Sequence, residues 1–206
     1  MPIIGRGDIA RALRPHNNKN ALFFASGVSK STTSNIKEFK REEELLIEMF
    51  TTHYNKCLFY FSSINIDADT PYMQHKRNME VLIKKIWTHY YIIRLGNIWW
   101  GKNRFTFINF ITDPLRKVDF RKVRWKEKKY VIYRDDFVLI AYLPLKGKHT
   151  INIFSECNTV RYFIDKRYKQ KDEKREIFNG TRKLVEPPRT AMASIRGDKT
   201  PEPPST

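Results

Sequence analysis

Short apolar runs of strand length recur along this chain, at Ala21-Leu22-Phe23-Phe24-Ala25, Cys57-Leu58-Phe59-Tyr60-Phe61 and Tyr90-Tyr91-Ile92-Ile93-Arg94-Leu95, with long stretches of helical period between them. A strand that is apolar at nearly every position, rather than at every second one, is buried on both faces. A parallel sheet sandwiched between helices buries strands in that way. The alternation therefore sets the fold class as α/β, a parallel sheet with helices on both faces.

The intervening stretches support this. A helix is expected over residues 34–53, with Ile36, Phe39, Leu45, Leu46, Met49 and Phe50 on its apolar side. Pro71 suits the first turn of a second helix that continues through Met79, Val81, Leu82, Ile83 and Ile86. Beyond Gly101 the alternation weakens, and the expectations are a helix over 105–115, a strand over 129–133, a helix over 135–143 and a last strand over 150–154. At 206 residues, with 41% hydrophobic and 14% aromatic residues, the chain has enough apolar matter for one packed domain and is not disordered throughout. That domain is expected over residues 1–165. Residues 166–206 are charged and then rich in proline, and read as a basic tail, extended or ordered by a partner.

A net charge of +17 draws the protein toward phosphates, acidic proteins and anionic surfaces. No nucleic-acid-binding motif accompanies that charge. The two cysteines, Cys57 in a strand and Cys157 in an expected loop, lack the spacing of metal ligands, so no metal is expected and the thiols suit a reducing, cytoplasmic compartment. The start at Met1-Pro2-Ile3-Ile4-Gly5 is read as lacking a signal peptide. No apolar run reaches the roughly 18 residues of a membrane span.

Glycine and serine mark the carboxyl ends of the strands. Residues 1–4 have room for only a short strand, and Gly5-Arg6-Gly7-Asp8-Ile9-Ala10 follows as a turn opening into a helix. In a G-x-G-x-x-A turn the first glycine permits the sharp bend, the second lets backbone approach a pyrophosphate, and the small third residue lets helix pack on strand. The run at Cys57 ends in Ser62-Ser63, ahead of a helix that opens with Tyr72-x-x-x-Lys76. One turn separates the tyrosine from the lysine, so both leave the same helix face. A hydroxyl, a phenol and an ammonium gathered in this way can exchange a proton with a substrate hydroxyl or carbonyl. The same spacing at Tyr142/Lys146 and Tyr162/Lys166 follows no such strand and is read as coincidence. His53, His75 and His89 read as surface or packing residues, Trp99 and Trp100 as packing groups, and Asp135-Asp136 as carboxylates capping a late helix.

Together these pieces resemble the short-chain dehydrogenase/reductase superfamily, in particular its extended NAD-dependent epimerase/dehydratase branch, which acts on nucleotide sugars. The likeness covers about residues 1–155. It rests on Gly5-x-Gly7-x-x-Ala10, Ala25-Ser26-Gly27, Phe61-Ser62-Ser63, Tyr72-x-x-x-Lys76 and Arg94-Leu95-Gly96-Asn97-Ile98 in the family's order. The resemblance implies a Rossmann-like sheet that holds NAD or NADP through Gly5, Gly7, Asp8, Ile9, Ala10, Ala25, Ser26, Gly27, Lys76, Asn97 and Ile98. It also implies catalysis by Ser62, Ser63, Tyr72 and Lys76. Tyr72 would be the acid/base, its phenol drawn from an ordinary pKa of about 10 toward phenolate by Lys76 and a cationic nicotinamide. Lys76 would also hold the nicotinamide ribose, and Ser63, ahead of Ser62, would bond the substrate oxygen.

One departure stands out. Pro15-His16-Asn17-Asn18 leads from the first helix directly to the strand that corresponds to the family's fourth. The second and third strands are missing, and with them the acidic residue that binds the adenosine ribose. Two readings stay open. The first is an NAD(P)-dependent epimerase/dehydratase or reductase acting on a nucleotide sugar. The second is a catalytically reduced pseudoenzyme, kept as a structural or accessory subunit beside an acidic protein or a nucleic-acid-rich assembly. A homo-oligomer is compatible with either.

Overall fold

The computed structural model describes residues 2–16, 18–28, 30–113 and 120–185, and the chain divides into two compact units, Met1–Arg167 and Tyr168–Thr206. In chain order the described elements are β1 (Ile3–Ile4), α1 (Asp8–Leu13), β2 (Ala21–Phe24), α2 (Ile36–His53), β3 (Cys57–Ser63), α3 (Pro71–Ile86), β4 (Tyr90–Leu95), β5 (Asn97–Ile98), α4 (Phe107–Thr112), β6 (Lys128–Ile132), α5 (Arg134–Val138), β7 (Lys148–Ile153), β8 (Glu156–Thr159) and α6 (Val160–Val185). Five strands pair in parallel in the order β1-β2-β3-β4-β7. A small second sheet sets β5 parallel and β8 antiparallel to β6.

The apolar runs form the strands expected of them because both of their faces are covered. Cys57, Phe59 and Phe61 of β3 pack with Ala12 and Leu13 of α1 and Phe137 of α5 on one face. Leu58 and Tyr60 pack with Leu46 of α2 and Met79 and Ile83 of α3 on the other. Each fully buried Phe or Leu contributes about 1.5–3 kcal/mol to that sandwich. Local signals set the helix starts. The Asn35 side chain accepts from the Lys37 N–H at 3.0 Å, and Thr70 accepts from Met73 at 3.2 Å with Pro71 directly after it.

Two expected core residues face solvent, and a charged one takes the interior. Val81 is 66% exposed, because it lies two residues past Met79, on the opposite side of α3. Ile36, in the first turn of α2, is also 66% exposed, while Glu42 on the same helix is fully buried.

The placement of α1 is unusual. β1, β2 and β3 step across the sheet in one direction, yet α1 covers one face and α2 the other. The β1–α1–β2 and β2–α2–β3 connections therefore have opposite hand, although nearly all such crossovers share one. β1 lies at the edge of the sheet, and no described strand lies outside it.

The carboxyl-terminal half departs further from expectation. β6 and β7 begin one and two residues before their expected starts, and α4 is shorter than expected, with residues 114 and 115 outside the described residues. The helix expected over 135–143 is α5 followed by a 3-10 turn at Leu139–Tyr142. Cys157 lies exposed on β8 rather than in a loop. Residues 166–185, expected as part of a basic tail that is extended or ordered by a partner, are helical, because Lys, Arg, Gln and Glu are good helix formers and the first proline after them is Pro187. The prolines themselves lie outside the described residues. No described helix is long and apolar enough to cross a membrane.

Candidate active site

A cavity of about 290 Å³ opens at the carboxyl ends of β2, β3 and β4 and the turn after β1, where parallel α/β sheets bind ligands. Gly7, Asp8, Ile9, Ala25 and Gly27 meet Ser62, Ser63, Tyr72, Lys76, Asn97 and Ile98 around it. Three expected cofactor residues do not line it. Gly5 has φ of 129°, and a Cβ there would overlap the Ala25 carbonyl, so this glycine serves the close approach of two chain segments. Ala10 is buried in the packing of α1. Ser26 accepts from Arg41, through its carbonyl at 2.9 Å and its hydroxyl at 3.3 Å.

Tyr72 and Lys76 leave one face of α3, as their spacing predicts, with the ammonium 5.7 Å from the phenol ring centre. Lys76 is 2% exposed, and its three N–H groups are engaged, by Glu42 Oε1 at 2.8 Å, Tyr60 Oη at 3.0 Å and the Phe61 carbonyl at 3.3 Å. As placed, Lys76 offers no free donor to a ribose, contrary to the expectation.

Glu42 accepts from four groups. Lys76 and the Tyr60 hydroxyl (2.8 Å) bond Oε1, while the Val28 N–H (2.9 Å) and His75 Nε2 (3.1 Å) bond Oε2. Burial works against the Glu42 charge, but Lys76 and the hydrogen bonds outweigh it and hold the carboxyl well below the usual carboxylate range. Burial likewise works against the Lys76 ammonium, and Glu42 outweighs it, raising its pKa. Burial pushes the Tyr72 phenol up. Lys76 pulls it down and Glu42 pushes it up again, so the net direction is upward. The expected pull toward phenolate is thus outweighed in the free protein, by burial first and by Glu42 after it. His75, read from sequence as a surface or packing residue without partners, is bonded to Glu42 and stacked on Phe39 with ring centres 4.5 Å apart.

The two serines differ. The Ser62 hydroxyl donates to Glu80 Oε1 at 2.7 Å, and Glu80 is held by Arg94 through Nε (3.0 Å) and a second guanidinium nitrogen (2.6 Å). Ser63 accepts from the Asn65 N–H at 3.2 Å, which leaves its own proton for another acceptor. Asp8 accepts from the Lys102 and Asn103 N–H groups and pairs with Arg11. Burial opposes that charge, and these partners overcome it and lower its pKa. Asn97 donates to the Tyr130 carbonyl at 3.0 Å. Asp135 and Asp136 sit in the first turn of α5, but Tyr133 is its N-cap and makes no side-chain capping bond, so the expected carboxylate cap is absent there.

Sequence reasoning passed over Glu42, Tyr60, Glu80 and Arg94 as site groups. Two of them carry a readable signal. Glu42 sits three residues after Phe39 and four before Leu46, on the apolar stripe of α2. Glu80 continues the four-residue spacing of Tyr72 and Lys76.

No protein-family description and no curated protein sequence matches the chain. Its fold does match solved structures. A UDP-glucose 4-epimerase from Thermotoga maritima, solved with UDP-glucose, is 15% identical with a TM-score of 0.54 over 76% of this chain and 63% of its own. A dTDP-glucose 4,6-dehydratase from Streptomyces venezuelae, solved with NAD, is 12% identical with a TM-score of 0.53 over 76% and 59%. A UDP-N-acetylglucosamine 4-epimerase from Methanobrevibacter ruminantium, in complex with UDP-N-acetylmuramic acid, is 13% identical with a TM-score of 0.52 over 75% and 61%. The chain thus spans about three-fifths of the length of these proteins, and what it shares with them is the fold, a Rossmann-like parallel sheet.

Against a nicotinamide dinucleotide, the site divides. Around the cavity Gly7 has nothing within 4 Å of where a Cβ would be, and Gly27, Asn97 and Ile98 lie in the wall. The volume is at the low end for small-molecule sites, which run from about 300 Å³ upward. These residues fit the nicotinamide half. The adenosine half is not matched, because no described strand lies beyond β1 to carry a ribose-binding carboxylate, and Asp8 is engaged by Arg11 and two loop amides.

Proposed function

We propose that the chain is an NAD(P)-linked epimerase/dehydratase- or reductase-like protein acting on a nucleotide sugar, with Tyr72 as its acid/base. One observation carries this reading: Tyr72 and Ser63 both line the cavity, and no described residue hydrogen-bonds the Tyr72 hydroxyl. A substrate oxygen against Tyr72 exchanges a proton with the phenol, and the Ser63 hydroxyl donates a second hydrogen bond to it. The backbone at Gly7 and Gly27, with Asn97 and Ile98, holds the nicotinamide half, which when bound supplies or accepts hydride. An adjoining cleft of about 460 Å³ shares Asn65 and Met73 with the cavity and carries Asp67, Glu127 and Lys129, giving the rest of the substrate a place to lie.

Titration with NADH and NADPH, followed by fluorescence, tests the reading. Saturable binding is expected, retained by Tyr72→Phe while turnover of nucleotide sugars is lost. Absence of binding at millimolar nucleotide sinks it. The second reading, a catalytically reduced accessory subunit, is favoured by the full engagement of Lys76. Nucleotide binding by the unaltered protein without turnover of any nucleotide sugar would select it.

A further inference from the structure

Glu42 is a buried carboxylate that the proton transfer just described does not use, and it is the most heavily bonded side chain near the cavity. It reaches from α2 to the loop after β2 through Val28, to β3 through Tyr60, and to α3 through His75 and Lys76. The charged and titratable groups packed against Lys76 are Glu42 from α2, Tyr60 from β3 and Tyr72 from α3, while His75 from α3 packs against Glu42. Gly27 closes the pair from above. A Cβ there would lie 3.0 Å from Lys76 Nζ and 3.3 Å from Glu42 Oε1.

We propose that Glu42 is a positioning residue, which fixes the Lys76 ammonium as half of a neutral pair and thereby sets the proton affinity of Tyr72, so that the phenol meets its ligand as a proton donor. This rests on the reading of Tyr72 as the proton-transfer group. The physical ground is charge compensation. An ammonium within about 6 Å of a phenol favours phenolate, but a carboxylate 2.8 Å from that ammonium sets an opposing field at the ring. Lys76 lines the cavity with its N–H groups taken by those same bonds, so a ligand oxygen finds Tyr72 and Ser63 as donors before it finds the lysine.

The test is the Tyr72 titration, read by ultraviolet absorbance as the difference between each protein and its Tyr72→Phe counterpart, with no nucleotide present. Glu42→Gln unbalances Lys76, and the Tyr72 midpoint is expected to fall by about one pH unit or more. An unchanged midpoint overturns the proposal. Should that variant fail to fold, the pair Glu42→Gln with Lys76→Met decides, since it removes both buried charges and leaves a neutral core. A midpoint close to that of the unaltered protein is then expected. A rise of about one unit would mean that Lys76 acts on Tyr72 uncompensated, and overturns the proposal. NADH titration of the same variants is a separate measurement, so loss of nucleotide binding with the midpoints as expected counts against the enzyme reading and not against the role of Glu42.

Discussion

At the scale of single residues the buried carboxylates Asp8, Glu42 and Glu80 are each matched by donors, and carboxyl titration gives the pH behaviour. Glu42 and Glu156 both have folded pKa values below those of free carboxylates, Glu156 at about 2 because Lys166 and Tyr133 outweigh the penalty of burial. A depressed carboxyl contributes stability that is present above its unfolded value of about 4.3 and lost as pH falls through the folded value. The urea midpoint is therefore expected to hold between about pH 5 and 8 and to drop below about pH 4. A midpoint unchanged down to pH 2 would contradict it. The two cysteines separate in the same way. Burial pushes the Cys57 thiol up to about 11, whereas Cys157 is exposed. A thiol reagent at pH 8 is expected to modify one cysteine per folded chain and two per unfolded chain. Gly5 and Gly7 make a third contrast. Gly5→Ala meets both the Ala25 carbonyl and an unfavourable φ, and should lower stability by about 1–3 kcal/mol, while Gly7→Ala, with nothing within 4 Å, should leave the denaturant midpoint near its starting value.

At the scale of elements, α3 is tied to the sheet by Glu80, which bonds Ser62 of β3 and Arg94 of β4. Arg94→Met strands a carboxylate that is 4% exposed, and a loss of about 2–3 kcal/mol is expected from urea unfolding, relieved in Arg94→Met with Glu80→Gln. The elements through β4 were legible in the sequence because Ala21–Phe24, Cys57–Phe61 and Tyr90–Leu95 are continuous apolar runs, and because Thr70-Pro71 announces α3. β8 was not, since Glu-Cys-Asn-Thr carries no apolar pattern and pairs only through β6, nearly thirty residues earlier. The site was legible as a set of motifs at strand ends. Its electrostatics were not, because the place of Glu42 on the apolar stripe of α2 signals burial but not the partner, Lys76, 34 residues away.

At the scale of the whole molecule, the opposite hand of the first crossover has an explanation in the sequence. Only the short Pro15–Asn20 stretch joins α1 to β2, so the chain enters the sheet beside β1 while α1 stays on its own face. The first unit should also stand without the second. A chain ending at Arg167 keeps Val160, Phe163 and Ile164 in its packing. It is expected to unfold cooperatively in calorimetry with a Tm shift under about 4 °C, equivalent to about 1 kcal/mol.

The backbone at Gly27 leaves little headroom over the ion pair beneath it. A single added methyl there would stand 3.0 Å from the Lys76 ammonium and 3.3 Å from the Glu42 carboxylate, so a few tenths of an ångström of yielding by either turns the steric change of one carbon into an electrical change at the phenol.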